Sequence, residues 1–96
     1  MSRVAWRRRA RNDLKRHYEF LRSKNEDAAV RASGAVLSAM RELRSTPHMG
    51  RPMNDGTGRR EWLVPFGAAG YVVRYGVTPE GVIVVLRIWH TRESRH

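Results

Sequence analysis

Ninety-six residues carry nineteen Lys and Arg against nine Asp and Glu, a formal charge of +10, and no cysteine. Disulfides and cysteine-based zinc sites are therefore excluded, and no stretch approaches the roughly 20 apolar residues that span a bilayer. The first residues are polar and basic without an apolar run, so no secretory signal is expected and the expected location is the cytoplasm.

The stretch Arg3 to Trp6 is short and β-compatible, and is predicted to pair with strands near the C-terminus. From Arg7 to Ser23, Ala10, Leu14, Tyr18 and Leu21 recur at steps of four and three, a helical spacing that Asn12 and Asp13 weaken in the middle. Ser23-Lys24-Asn25 breaks the pattern. Asn25 is suited to cap a second helix, with Glu26 and Asp27 at the positive end of its dipole. That helix runs to about Arg44 and aligns Ala29, Ala32, Val36, Ala39, Met40 and Leu43 on one face. The alanines predict close approach of the two helices in an antiparallel hairpin. Gly34 costs up to ~1 kcal/mol relative to Ala inside a helix and is expected to mark tight packing.

Pro47 stops the second helix. His48 to Gly58 is a run of turn formers, long enough to suggest a functional or mobile loop. Three strands follow: Arg59 to Pro65, Gly70 to Val77 and Val82 to His90. They are joined by a connection from Pro65 to Gly70 and by the turn Thr78-Pro79-Glu80-Gly81. Thr91 to His96 is a charged tail. The order β-α-α-β-β-β defines an α+β fold, with a helical hairpin packed on one face of a small antiparallel sheet and the first strand added at one side. The length fits one domain over residues 1–96, with a modest core that a partner would stabilise.

Strand alternation assigns faces. Trp62, Val64, Tyr71, Val73, Tyr75, Val77, Val84, Leu86 and Ile88 are expected to look toward the helices. Arg59, Glu61, Leu63, Val72, Arg74, Ile83, Val85, Arg87 and Trp89 are expected to look away, with Arg92 close by. Strict parity puts His90 inward, although a bulge at the strand end would turn it out. A sheet face with so many apolar side chains calls for a cover, from a partner or from the chain's own loop. Seventeen of the basic residues are Arg, which favours planar, bidentate contacts with phosphate or carboxylate. The charge predicts a polyanionic partner: nucleic acid, ribosome or acidic protein. Generic solubility is the plain alternative. His17, His48, His90 and His96 show no metal-ligand spacing, so neither metal nor cofactor is expected.

Taken together, Pro47-xx-Gly50-Arg51-Pro52, Arg60-Glu61, Gly70-Tyr71-Val72-Val73-Arg74-Tyr75 and Leu86-Arg87-Ile88-Trp89-His90-x-Arg92-Glu93 resemble the RelE/ParE toxins of bacterial type II toxin–antitoxin systems. The resemblance covers nearly the whole chain. It implies a small α+β toxin wrapped by a flexible, often acidic or amphipathic antitoxin segment, with operator DNA bound only through the antitoxin. ParE-like members are associated with poisoning DNA gyrase, RelE-like members with mRNA cleavage on the ribosome. Typical RelE members carry lysines on the strand that here holds Glu61 and Leu63, an Arg where this chain has Val72, and a Tyr in a C-terminal extension. Here only Arg92 matches such a site well.

Two toxin readings follow from that resemblance. In the ParE-like reading the protein is not an enzyme, and Arg59, Leu63, Arg74, Val85, Arg87, Trp89 and Arg92 bind the target or antitoxin. In the alternative, a ribosome-dependent mRNA endonuclease, Glu61 is the base, Arg74 or Arg87 and Arg92 stabilise charge, and His90 is the acid. The bland roles are an Arg59 or Arg60 salt bridge for Glu61, a structural place at the core rim for Arg60, and a structural or antitoxin contact for His90. A plain nucleic-acid-binding module is disfavoured, because Trp62, Tyr71 and Tyr75 read as core and not as base-stacking platforms. A degenerate, inactive toxin stays open.

Overall fold

The computed structural model describes residues 3–95. Its elements are β1 (Val4–Trp6), α1 (Arg8–Arg22), α2 (Glu26–Leu43), β2 (Arg51–Pro52), β3 (Arg60–Phe66), β4 (Ala69–Val77) and β5 (Ile83–His90). The α+β order matches the sequence reading, with β2 as an addition. The sheet order is β1-β5-β4-β3-β2. β3, β4 and β5 form the antiparallel meander, and β1 lies parallel to β5.

The two helices start differently. Asn25 Oδ1 accepts the Ala28 N–H at 3.0 Å, and Glu26 and Asp27 sit in the first turn of α2, which satisfies an orphan donor and complements the dipole. α1 begins after Arg7 with no side-chain cap and no acid in its first turn. Its N-terminal arginines face the positive end of the dipole, which is unfavourable. What holds α1 is tertiary: Ala10 is fully buried, and Leu14 and Leu21 pack on the core.

That core lies between the hairpin and the sheet. Ala32, Val36, Met40 and Leu43 of α2 meet Val64, Tyr71, Val73, Tyr75, Ile83, Val85 and Ile88. Gly34 does not sit at a close approach, because a side chain there would have nothing within 4 Å. The tight glycine is Gly50, where an added Cβ would meet the Tyr75 hydroxyl at 2.5 Å.

The faces expected for β5 need a correction. Tyr75 pairs with Val85 while Arg74 pairs with Arg87, so Leu86 is an extra residue in a β-bulge. A bulge restarts the alternation. Ile83 and Val85 therefore point inward and are fully buried, and Val85 is no surface residue for a partner. Val84 shares the outer face with Gly76, its partner across the ladder. Beyond the bulge, Ile88 and His90 face the helices, opposite Val73 and Tyr71.

The loop after α2 is moored rather than loose. The Tyr75 hydroxyl accepts the Gly50 N–H and donates to the Pro47 carbonyl, both at 2.8 Å. Arg60 donates to the His48 and Gly50 carbonyls at 2.9 and 2.8 Å. These bonds bring Arg51 and Pro52 beside Glu61 and Arg60 as β2.

Candidate functional site

β1 covers only the first part of the β5 edge. Its last main-chain bond is the Arg7 N–H to the Val85 carbonyl at 3.0 Å. Beyond it, side chains of α1 replace a strand. Asp13 Oδ2 accepts the Ile88 N–H at 2.8 Å, and His17 Nε2 meets the Ile88 carbonyl at 3.0 Å. One helical turn separates the two side chains, which matches the N–H and C=O of one residue on an exposed edge. Glu93 continues the seal by accepting the His90 N–H at 2.8 Å. Burial by itself would raise the Asp13 carboxyl. Hydrogen bonds from Arg87 and Ile88, with the charges of Arg87 and Arg16, outweigh it and hold the pKa below the ordinary carboxylate value. Burial lowers His17, with Arg16 adding to the effect against the Ile88 carbonyl, Glu93 and Asp13. Glu93 is also lowered: burial opposes this, but the His90 N–H and Arg16 prevail. Sequence reading treated Asp13 as a weak spot and His17 as a stray imidazole. Both are buried parts of the edge seal.

The outer face of the sheet carries a charged stack. Glu61, Arg74 and Arg87 stand in one cross-strand row. Glu61 pairs with Arg74 at 2.9 Å and with Arg95 of the tail at 3.2 Å. Its partners are therefore neither Arg59 nor Arg60. Arg87 reaches around the edge to Asp13 at 2.8 Å. Both guanidiniums lie over the Trp89 ring, Arg74 at 4.6 Å and Arg87 at 4.8 Å from its centroid. Directly opposed like charges are costly. Here each arginine has its own carboxylate, and the Trp89 ring offers both a cation–π surface. Trp89 and Val72 are buried, so the broad greasy face expected from parity is mostly closed by this stack. Leu63 remains exposed there at 57 %.

A cleft of about 690 Å³ opens at the other side of the sheet end, between α1 and the β3–β4 hairpin. Phe20, Leu21, Phe66 and Tyr71 give it apolar walls, and His90, Arg92 and Glu93 line it from β5 and the tail. Tyr71 is packed by His17 and His90, with ring centroids 5.1 and 5.6 Å away. His90 Nδ1 accepts the Arg92 N–H at 3.2 Å, which leaves the proton on Nε2. Burial raises the Tyr71 phenol. Gly70 matters here, because a Cβ would collide with the Val64 carbonyl.

The expected residues thus divide. Arg74, Arg87 and Trp89 form the outer stack with Glu61. Arg92 and His90 line the cleft on the helix side. Arg59 is exposed just before β3, and Val85 is core. Among the described residues no cluster of three His, Cys, Asp or Glu could hold a metal ion, and no helix is long and apolar enough to cross a membrane.

A two-helix hairpin on a five-stranded sheet, with an arginine-rich outer face, defines a small RelE/ParE-type toxin. Residues 4–95 match the family model described as the ParE toxin of the type II toxin–antitoxin system parDE. The chain belongs to that family. It is 38 % identical over 87 residues to Toxin RelE3 of Caulobacter vibrioides, covering 91 % of each chain. Toxin RelE1 of the same organism is 36 % identical over 87 residues, covering 91 % of this chain and 90 % of the relative. The fold matches a chain of the chromosomal ParDE TA system from P. aeruginosa with a TM-score of 0.75 at 18 % identity, over 96 % of this chain and 98 % of that one.

Proposed function

We propose that this toxin arrests bacterial growth in the cytoplasm by acting on DNA gyrase, not by cutting RNA, and is neutralised by an antitoxin encoded beside it. The observation that carries this reading is the separation of Glu61 from His90. Glu61 stands on the outer face, held by Arg74 and Arg95. His90 stands on the helix side, against Tyr71. A general base and a general acid must both reach one scissile phosphate, and the sheet lies between these two. The exposed Arg59 and Leu63 supply a cationic and partly apolar surface suited to a protein target, beside the closed and ion-paired Arg74–Trp89–Arg87 stack.

The ribosome-dependent endonuclease reading keeps one supporting observation: His17, His90, Arg16, Arg92 and Glu93 share the cleft. Against it, His17 and Glu93 are already engaged with the main chain of β5. Controlled expression without antitoxin, followed by primer extension on cellular mRNA, separates the two. Growth arrest with intact messages is expected. Codon-linked cuts would transfer the assignment to the nuclease, and normal growth at confirmed expression would remove both.

A further inference from the structure

Arg3, Arg7, Arg8, Arg9, Arg11 and Lys15 are all exposed. The acid within that stretch, Asp13, is turned inward to Arg87 and the Ile88 N–H. Among the described residues none of these cations meets a carboxylate at ion-pair distance. Arg8 and Arg9 also stand in the first turn of α1, where no acid balances them and a cation costs stability. A local choice that opposes the fold is expected where function sets the residue.

The surface beside them has the same sign. A hollow of about 420 Å³ joins Arg3 of β1 to Arg41 of α2 across Trp6 and Leu37. A second, of about 480 Å³, joins Arg11 and Lys15 of α1 to the same Trp6 and Leu37. The shared residues make one open trough beside β1, the outermost strand. Among the described residues no Asp or Glu lines either hollow, and none of these cations lines the cleft at Tyr71 or joins the outer stack. Trp6 and Tyr18 are half-buried walls, whereas single strands stack their bases on exposed rings. From Arg3 to Arg7 the chain covers roughly 13 Å at strand rise, and from Arg8 to Lys15 roughly 10 Å at helix rise. That length faces several phosphates of a duplex, which carries one charge per roughly 1.7 Å of axis.

We propose that this band is a docking surface for the phosphate backbone of double-stranded DNA, held without regard to sequence. The toxin thus touches DNA itself, and not only through an antitoxin as the family resemblance implies. Contacts of this kind position a protein on a duplex and carry no base information.

The test measures binding of the full toxin chain to labelled DNA duplexes of two unrelated sequences between about 0.05 and 0.2 M salt. Both duplexes should bind alike, with log affinity falling against log salt by about 0.9 per phosphate neutralised. Arg8→Gln with Lys15→Gln should weaken binding to both and reduce that slope by about 2. Arg9→Glu should weaken binding while relieving the charge conflict at the start of α1, so unfolding cannot explain its loss. Arg31→Glu makes the same change in net charge at an exposed position of α2 that lines neither hollow, and should weaken binding much less. No binding of wild type at the lowest salt would overturn the proposal. Equal losses in Arg9→Glu and Arg31→Glu would also overturn it, by reducing the effect to net charge. Tighter binding of the separated strand or of polyglutamate would assign the band to another partner.

Discussion

Asp13 of α1 accepts the Ile88 N–H of β5 at 2.8 Å across 75 residues of sequence. The same carboxylate holds Arg87 at 2.8 Å. A single side chain therefore caps the first open N–H of the sheet edge beyond β1 and also anchors one of the two arginines stacked on Trp89.

Asp13→Ala should destabilise the protein by about 3 kcal/mol, because it strands a buried N–H and a partly buried guanidinium together. Asp13→Asn keeps an acceptor and should cost less. Urea denaturation at neutral pH measures both, and an Asp13→Ala midpoint equal to wild type would contradict the edge-seal role.

Acid should weaken the fold in two stages. His17 has a folded pKa below its ordinary 6.5, so the unfolded chain takes up its proton first. Stability from His17 is present above about pH 6.5 and is lost as pH falls from there toward the folded pKa. Asp13 and Glu93 are also lowered, and their share is lost further down, in the carboxylate range. Denaturation midpoints between pH 8 and pH 3 should fall monotonically. Replacing His17 with Gln should remove the upper stage and leave the lower one.

Tyr75→Phe removes the hydroxyl that bonds both Gly50 and Pro47. The loss should be about 1–3 kcal/mol, since the Gly50 N–H is left buried and unpaired. Hydrogen exchange should quicken around residues 47–53 before it quickens in α2. Uniform loosening of the whole chain would argue against a local mooring.

Arg9 lies in the uncapped first turn of α1, facing the positive end of the dipole. Arg9→Glu should therefore raise stability by about 0.5–1 kcal/mol at low salt, with the gain shrinking as salt is added. Thermal unfolding at two salt concentrations reads this directly.

The helices were legible in the sequence because their signals are local. Asn25 with Glu26 and Asp27 marks the start of α2, and the spacing from Ala29 to Leu43 marks its buried face. The strands of the meander were legible for the same reason. Parity in β5 was not, because no Gly or Pro marks Leu86 as a bulge, and one extra residue moved Val85 into the core. The roles of Asp13 and His17 were hidden for a different reason. A polar pair one turn apart looks solvent-exposed until the short β1 leaves Ile88 needing partners. Arg95 was equally invisible, since its contact with Glu61 depends on how the tail turns back. The cleft was hidden because Phe20, Phe66 and Arg92 come from three separate stretches of chain.

The central claim, a gyrase-directed toxin without nuclease chemistry, is tested most directly by DNA supercoiling with purified toxin and purified gyrase. The account predicts loss of supercoiling activity or trapped, gyrase-dependent DNA breaks, both reversed by the antitoxin. Gyrase that supercoils normally beside the purified toxin, while the same preparation cuts mRNA on ribosomes, would contradict it.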